Sequence, residues 1–449
     1  MSDISSKNII NVSDVIDLAP IGGVQRRVIL LCAFLALLDG FHTQAIAFVA
    51  PVLTAQWGIN VAALGPVFAA GLGGLMVGAL IFGLAADRIG RKPALLISTV
   101  IFGVFAVWTA RVTSTNELLV LRFLTGIGLG GAMPNIIALT SEYTPKQSRT
   151  TAVSLMFCGF PLGAVLGGLV SAWMIPHLGW PSVFLLGGAA PLVIVPVLAL
   201  TLPESARFVV VHRRPQAAIL ATLGAISSQL NTADAILVVD ETEASGLPLK
   251  QLFTNHRAAA TILLWIAFFT SLLLLYFLVN WLPSLLSRSG VPLERAIIAT
   301  VLLNAGGIVG AIVLGRLIDR FGPTWVLAGA YATAALATAA LGPLSSNTAL
   351  LLSFVFVAGF GVVGGQICMN AVAAALYPTS VRSTGVGWAL GIGRLGSIIG
   401  PMVGGMLIAN GFTTDTVFIC ASLIAAVACL SVIGLKTKSA ELHRELRTV

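Results

Sequence analysis

Apolar runs of about twenty residues or more, repeated along the whole chain, leave few folds open. A helix rises about 1.5 Å per residue, so such a run crosses a hydrocarbon layer of about 30 Å. Twelve can be marked, at about 28–56, 62–86, 94–111, 117–141, 149–174, 180–202, 258–287, 293–318, 324–341, 348–376, 382–410 and 412–435. With 57% apolar and only 9% charged residues among 449, an ordinary soluble domain is excluded. The expectation is an all-α integral membrane protein with twelve transmembrane helices. Several runs exceed the minimal span, which implies tilt or extension beyond the bilayer.

The net charge of +8 does not point to nucleic acid, because the basic residues sit between apolar runs instead of forming a patch. Cys32, Cys158, Cys368, Cys420 and Cys429 all fall within apolar runs and show no CxxC spacing. They are expected as packing residues, with neither disulfide nor metal site. No cofactor is expected either. An enzyme is disfavoured, since the glycine-rich runs lie in apolar helices and not in strand-to-helix phosphate loops. The first 27 residues are polar and show no secretory signal.

Basic residues set the orientation. Of 25 Lys and Arg, 20 fall on one side when the N-terminus is inside, three on the other (Arg111, Arg288, Arg295), and Arg122 and Arg394 lie within spans. The excess places both termini in the cytoplasm of a plasma (inner) membrane protein. The expected order is a cytoplasmic segment 1–27, six helices in 28–202, a cytoplasmic loop 203–257, six helices in 258–435 and a tail 436–449. The loop carries a possible amphipathic helix around Pro215–Leu230.

The two halves repeat. GALIFGLAADRIGRKP (Gly78 to Pro93) returns as GAIVLGRLIDRFGP (Gly310 to Pro323), with Asp319 following Asp87 by 232 residues. The segment ending in Glu142 and Arg149 returns around Arg382, which follows Arg149 by 233. Two cassettes at nearly one offset indicate a duplicated six-helix unit, hence two pseudo-symmetric bundles. Duplicated units of this kind hold a site near the midplane, where the halves rock against each other.

Charges at that depth narrow the site. Asp39 lies about 17 Å along the first run, with His42 and Thr43 at i+3 and i+4. A carboxylate there costs at least about 3 kcal/mol on insertion scales, so it turns toward protein or a water-filled path. The bland alternative is a structural contact between helices. Arg122, entering from the outer side, is a possible partner for Asp39. Arg394 lies about 18 Å past Arg382, near the midplane, with no obvious acid in its own half. An anionic substrate could supply that partner, because a guanidinium fork matches a carboxylate. Weaker ligand candidates are Phe41, Gln44, Asn135, Tyr276, Asn280, Asn304, Gln366, Asn370 and Trp388. Amides within spans often only join helices.

The turn Gly83-x-x-x-Asp87-Arg88-x-Gly90-Arg91-Lys92, its weaker copy at Gly315, Asp319–Arg320 and Gly322, Arg122, and Pro203-Glu204-Ser205 resemble the major facilitator superfamily across essentially the whole chain. That resemblance implies the twelve-span fold and alternating access. Gly90 allows a tight turn, and Asp87 is placed to meet a helix N-terminus or an arginine of the facing half. Gly83, Asp87, Arg88, Gly90, Arg91, Glu142, Arg149, Asp319, Arg320 and Arg382 are the expected gating set.

Within the superfamily, Asp39-Gly40 with polar residue 42, Pro51, LPESARF (Leu202 to Phe208), YFLVNWLPSLL (Tyr276 to Leu286) and GRLGSIIGP (Gly393 to Pro401) resemble the aromatic acid:proton symporters. Such symporters commonly carry a second aspartate where this chain has His42. The resemblance implies an importer of a small aromatic carboxylate such as benzoate or hydroxybenzoate. Proton coupling would then rest on Asp39, His42 and Arg122, and substrate contact on Arg394, Asp39, His42 and the weaker candidates. His42 either carries a proton or stays neutral and hydrogen-bonds. A proton antiporter exporting drugs or organic anions is the main rival, because the string G-x-x-x-G-P-x-x-G-G occurs, although in the eleventh run, Gly396 to Gly405. A symporter of another organic acid or a sugar is the third possibility. A monomer is expected.

Overall fold

The computed structural model describes residues 9–212, 217–226, 236–238, 252–253, 258–376 and 382–445. Its first half comprises α1 (Val12–Leu18), α2 (Gly23–Trp57), α3 (Leu64–Ile89), α4 (Arg91–Thr109), α5 (Thr115–Glu142), α6 (Arg149–Phe157), α7 (Gly159–Leu178) and α8 (Pro181–Thr201). Two short helices follow in the connector, α9 (Ala206–Val211) and α10 (Ala217–Ile226). The second half holds α11 (Ala258–Arg288), α12 (Leu293–Phe321), α13 (Pro323–Ala340), α14 (Thr348–Leu376), α15 (Arg382–Ala409) and α16 (Thr414–Glu445).

Among the described residues eleven spans are long and apolar enough to cross a membrane, with α6 and α7 contributing one between them. The twelfth, α13, has 18 residues rich in alanine and threonine, and packs beside α14 and α16. All twelve expected spans are therefore helices, with three differences at their edges. α2 begins at Gly23, five residues early, where the Gln25 side chain accepts from the Gly22 N–H at 3.1 Å. The fifth span breaks at Cys158, between α6 and α7. The last helix continues through the expected tail to Glu445.

Six helices on each side repeat one arrangement. α2 packs on α7, α3 on α5 and α4 on α8, and α11 on α15, α12 on α14 and α13 on α16 match them in turn. Close approach of α3 and α5 depends on Gly74 and Gly130, where an added methyl would run into the Phe123 and Leu75 carbonyls. Gly306 and Gly359 do the same between α12 and α14, against Phe356 and Leu303. The turn at the repeated motif also recurs, with Gly90 at φ 105° and Gly322 at φ 82°, a region that L side chains rarely adopt.

Call the end where the connector lies the connector end, and the opposite one the far end. One apolar cluster spans both halves and occupies the far end: Phe68 packs edge-on to Trp281 with centroids 5.1 Å apart. Toward the connector end the core splits into a first-half cluster around Tyr143 and Phe208 and a separate second-half cluster around Phe268 and Tyr331. The halves thus meet at the far end and part toward the connector.

Among the described residues a short strand pair interrupts the helical pattern. β1 (Ile9–Asn11) runs parallel to β2 (Ile236–Val238). Ile10, Val12 and Ile16 are buried with Ile219, Leu223 and Leu237, while Asp17 accepts from the Lys146 N–H at 2.7 Å. The connector helix expected around 215–230 is described over Ala217–Ile226, and the rest of that stretch lies outside the described residues.

Candidate functional site

Asp39, on α2, is 2% exposed and accepts from the Thr43 hydroxyl at 3.2 Å, the i+4 contact that the helix repeat requires. The other half carries a mid-span charge of opposite sign, Arg394 on α15. Arg394 is half-buried, and no hydrogen bond or ion pair of its guanidinium is found among the described residues. A buried carboxylate on one half and a guanidinium without an ion pair among the described residues on the other are thus the two charges of this layer.

Arg122 is not paired with Asp39. Its Nη2 donates to the His42 carbonyl at 3.3 Å, and Nε and Nη1 have no partner. The reason is rotational: Arg122 comes from α5, behind α2, and meets the backbone one turn beyond the acid. Its side chain borders a cavity of about 10 Å³, room for one water, with Thr43 and Gly71 of its own half and Asn280 of the other.

His42 does not enter the cleft between the halves. Its Nε2 lies 2.5 Å from the Gly187 carbonyl of α8, so that nitrogen carries the proton and donates. The ring stands edge-on to Phe41 and Phe102, at 5.7 and 5.5 Å. Gly187 must be glycine here, because a methyl would meet His42 and Phe41. Phe41 likewise turns inward, toward Gly167 of α7 and Gly187. Both leave the candidate ligand set as placed here.

The weaker candidates divide. Gln44 and Asn304 bond each other across the halves, Gln44 Nε2 to Asn304 Oδ1 at 3.0 Å and Asn304 Nδ2 to Gln44 Oε1 at 2.9 Å. Asn280 donates to the Tyr276 carbonyl at 2.7 Å and lines the small cavity, and Tyr276 packs with Leu72 and Leu272. Asn135 donates to Gly131 of its own helix, which is a structural contact. Gln366 is buried with Oε1 unpaired, and Asn370 is exposed. Trp388 stacks on Trp265 at 5.9 Å, about 9 Å nearer the connector end than Arg394.

Several residues of the expected gating set form a network inside the first half. Asp87 pairs with Arg91 at 3.1 Å, not with the facing half. Arg91 also approaches Glu142 at 3.8 Å, and Glu142 accepts from the Ser205 hydroxyl. Glu204 caps α4, accepting from the N–H groups of Arg91 at 2.9 Å and Lys92 at 3.1 Å. The Tyr143 hydroxyl donates to the Glu204 carbonyl at 2.5 Å; burial first, then Glu142 and Glu204, push its titration upward and keep it a donor. Sequence reasoning valued Glu204 only as part of a family mark, although an acid at a helix start is a readable signal. Arg149 pairs with Asp17 at 3.5 Å. Gly83 has open space beside it, Arg88 is exposed, and Arg320 lies over the Phe321 ring at 5.2 Å. The side chains of Asp319 and Arg382 lie outside the described residues. Among the described residues Asp87 finds no partner in the second half, whose core is separate from that of the first half toward this end.

The exporter-like string has a packing role. Gly396 and Gly400 sit against the Phe269 and Leu273 carbonyls of α11, and Gly404 against Trp281. No cluster that could hold a metal occurs among the described residues.

Comparison with known proteins agrees with this architecture. The Major Facilitator Superfamily profile matches residues 29–317 and 296–447. A gallate transporter of Pseudomonas putida is 42% identical over 425 residues, covering 95% of each chain. A 4-hydroxybenzoate transporter, PcaK, of Pseudomonas aeruginosa is 41% identical over 426 residues, covering 94% of this chain and 95% of that one. The inward-open xylose transporter XylE from E. coli superposes with a TM-score of 0.72 at 18% identity, covering 90% of this chain and 95% of that one.

Proposed function

The chain belongs to the Major Facilitator Superfamily, and from that premise we propose that it is a proton-coupled importer of a small aromatic carboxylate. The observation that carries the proposal is the charge layout of the two halves: Asp39 mid-span on α2, Arg394 mid-span on α15, and no ion pair between them among the described residues. Arg394 takes the substrate carboxylate, and its fork gives orientation as well as charge. Asp39 takes the proton. The two relatives described above, named for gallate and 4-hydroxybenzoate, support an aromatic acid as the anion.

Coupling has a physical reason. An inside-negative potential opposes entry of a monoanion by about 2.3 kcal/mol per 100 mV, and one proton moving with it removes that cost. With both termini cytoplasmic, as the Lys and Arg excess supports, the connector end faces the cytoplasm and the arrangement is inward-facing. The first and last six helices act as the two rocking bodies, with the connector and the residues before α2 on the cytoplasmic side.

Titration of purified protein with 4-hydroxybenzoate, gallate and xylose tests the assignment. The aromatic acids bind and xylose does not; Arg394→Lys weakens the acids, and Arg394→Ala weakens them by at least about tenfold, the loss of one charge-assisted bond. Unchanged affinity in a folded Arg394→Ala removes the residue from the site.

A further inference from the structure

The Gln44–Asn304 pair differs from the other polar contacts of the spans. Most serine, threonine and asparagine side chains in these helices bond the carbonyl three or four residues earlier on their own helix, as Thr125, Asn135 and Asn280 do. Gln44 and Asn304 go further and exchange two hydrogen bonds between α2 and α12, which belong to different halves, while Asn304 Nδ2 also reaches the Thr300 carbonyl of its own helix at 2.9 Å. Both are buried, at 2% and 3% exposure. Gln44 lies thirteen residues from Trp57 and Asn304 eleven from Leu293, so both are roughly 17–20 Å in from the far end. Any separation of the halves there must part them. Each then fronts the gap with an amide that can donate and accept, one to two turns from Asp39. An unpaired buried amide is unfavourable, so whatever enters the gap does best to satisfy both.

We propose that Gln44 and Asn304 are a two-state pair. Bonded to each other they seal the far end; once the halves part, they hydrogen-bond the ring hydroxyl of an entering hydroxylated aromatic acid. The second role rests on the aromatic-acid function proposed above, and the first does not.

Spin labels at Asn60→Cys, in the far-end turn before α3, and Glu294→Cys, in the first turn of α12, both exposed, report the seal in protein whose five native cysteines are replaced by alanine. Distances are measured without substrate in Gln44→Leu, Asn304→Leu and the double variant. Each single variant buries one amide without its partner, so the share of long distances rises at least about threefold. The double variant buries neither and returns toward the parent. Single variants with the parent distribution, or a double variant displaced as far as the singles, overturn the seal. Binding of 4-hydroxybenzoate and benzoate to the same proteins reports the second role: each single variant loses at least about fivefold of the preference for the hydroxylated acid, with benzoate affinity nearly kept. An unchanged preference overturns the hydroxyl contact. A parent that binds neither acid overturns the aromatic-acid function and that contact together, while the distances still decide the seal.

Discussion

At the scale of the residue, His42 shows what a helix repeat can and cannot say. The i+3 and i+4 spacing makes 42 and 43 neighbours of 39, yet at 3.6 residues per turn they fall on opposite sides of it, about 100° apart. Thr43 turns to the carboxylate and the cavity, and His42 turns between Phe102 and Gly187. Which flank faced the other half depended on where α4 and α8 pack, and that is tertiary information. His42→Gln should therefore act on stability, lowering it by about 1 kcal/mol for the bond to Gly187. Folded protein should still accumulate substrate under a pH gradient. Thermal unfolding and uptake on the same preparation check this, and loss of accumulation at unchanged stability would restore His42 as a proton carrier. The depth of Asp39 and Arg394, by contrast, was legible, because a charge in mid-span is too costly to be incidental.

At the scale of the element, the spans carry two kinds of glycine. Gly130 of α5 abuts the Leu75 carbonyl, whereas Gly83 of α3 has nothing within 4 Å. Gly130→Leu should prevent α3 and α5 from meeting and lower the yield of folded protein sharply. Gly83→Leu should leave melting temperature and binding near the parent but slow transport, because the connector end must close over that face in the opposite state. Melting curves and uptake rates on both variants separate the two, and normal transport by Gly83→Leu would show that this face is never approached. Glu204 contributes at the start of α4: Glu204→Ala should cost about 1–2 kcal/mol through two lost caps and the helix dipole. A melting temperature equal to the parent's would show the cap is redundant. Helix existence and the turn glycines were legible from hydropathy and motif spacing. The break at Cys158 and the extension of α16 to Glu445 were not, because apolar runs do not mark where backbone geometry changes.

At the scale of the molecule, the repeat at offsets of 232 and 233 residues was enough to expect two like bundles, and the matched helix pairs bear it out. The partner of Asp87 was beyond the sequence, since it depends on which end is closed. With the cores joined at the far end and divided toward the connector, Asp87 is left to Arg91. The same layout leaves Asp39 and Arg394 on different halves, with coupling as the central claim. The most direct test reconstitutes the protein and Asp39→Asn in liposomes and follows labelled 4-hydroxybenzoate together with internal pH, with acid imposed on the uptake side. The parent should accumulate the acid above its equilibrium level while protons enter with it. Asp39→Asn should exchange labelled for unlabelled acid without accumulating it. Accumulation by Asp39→Asn equal to the parent's, or uptake by the parent indifferent to the pH gradient, would contradict the account.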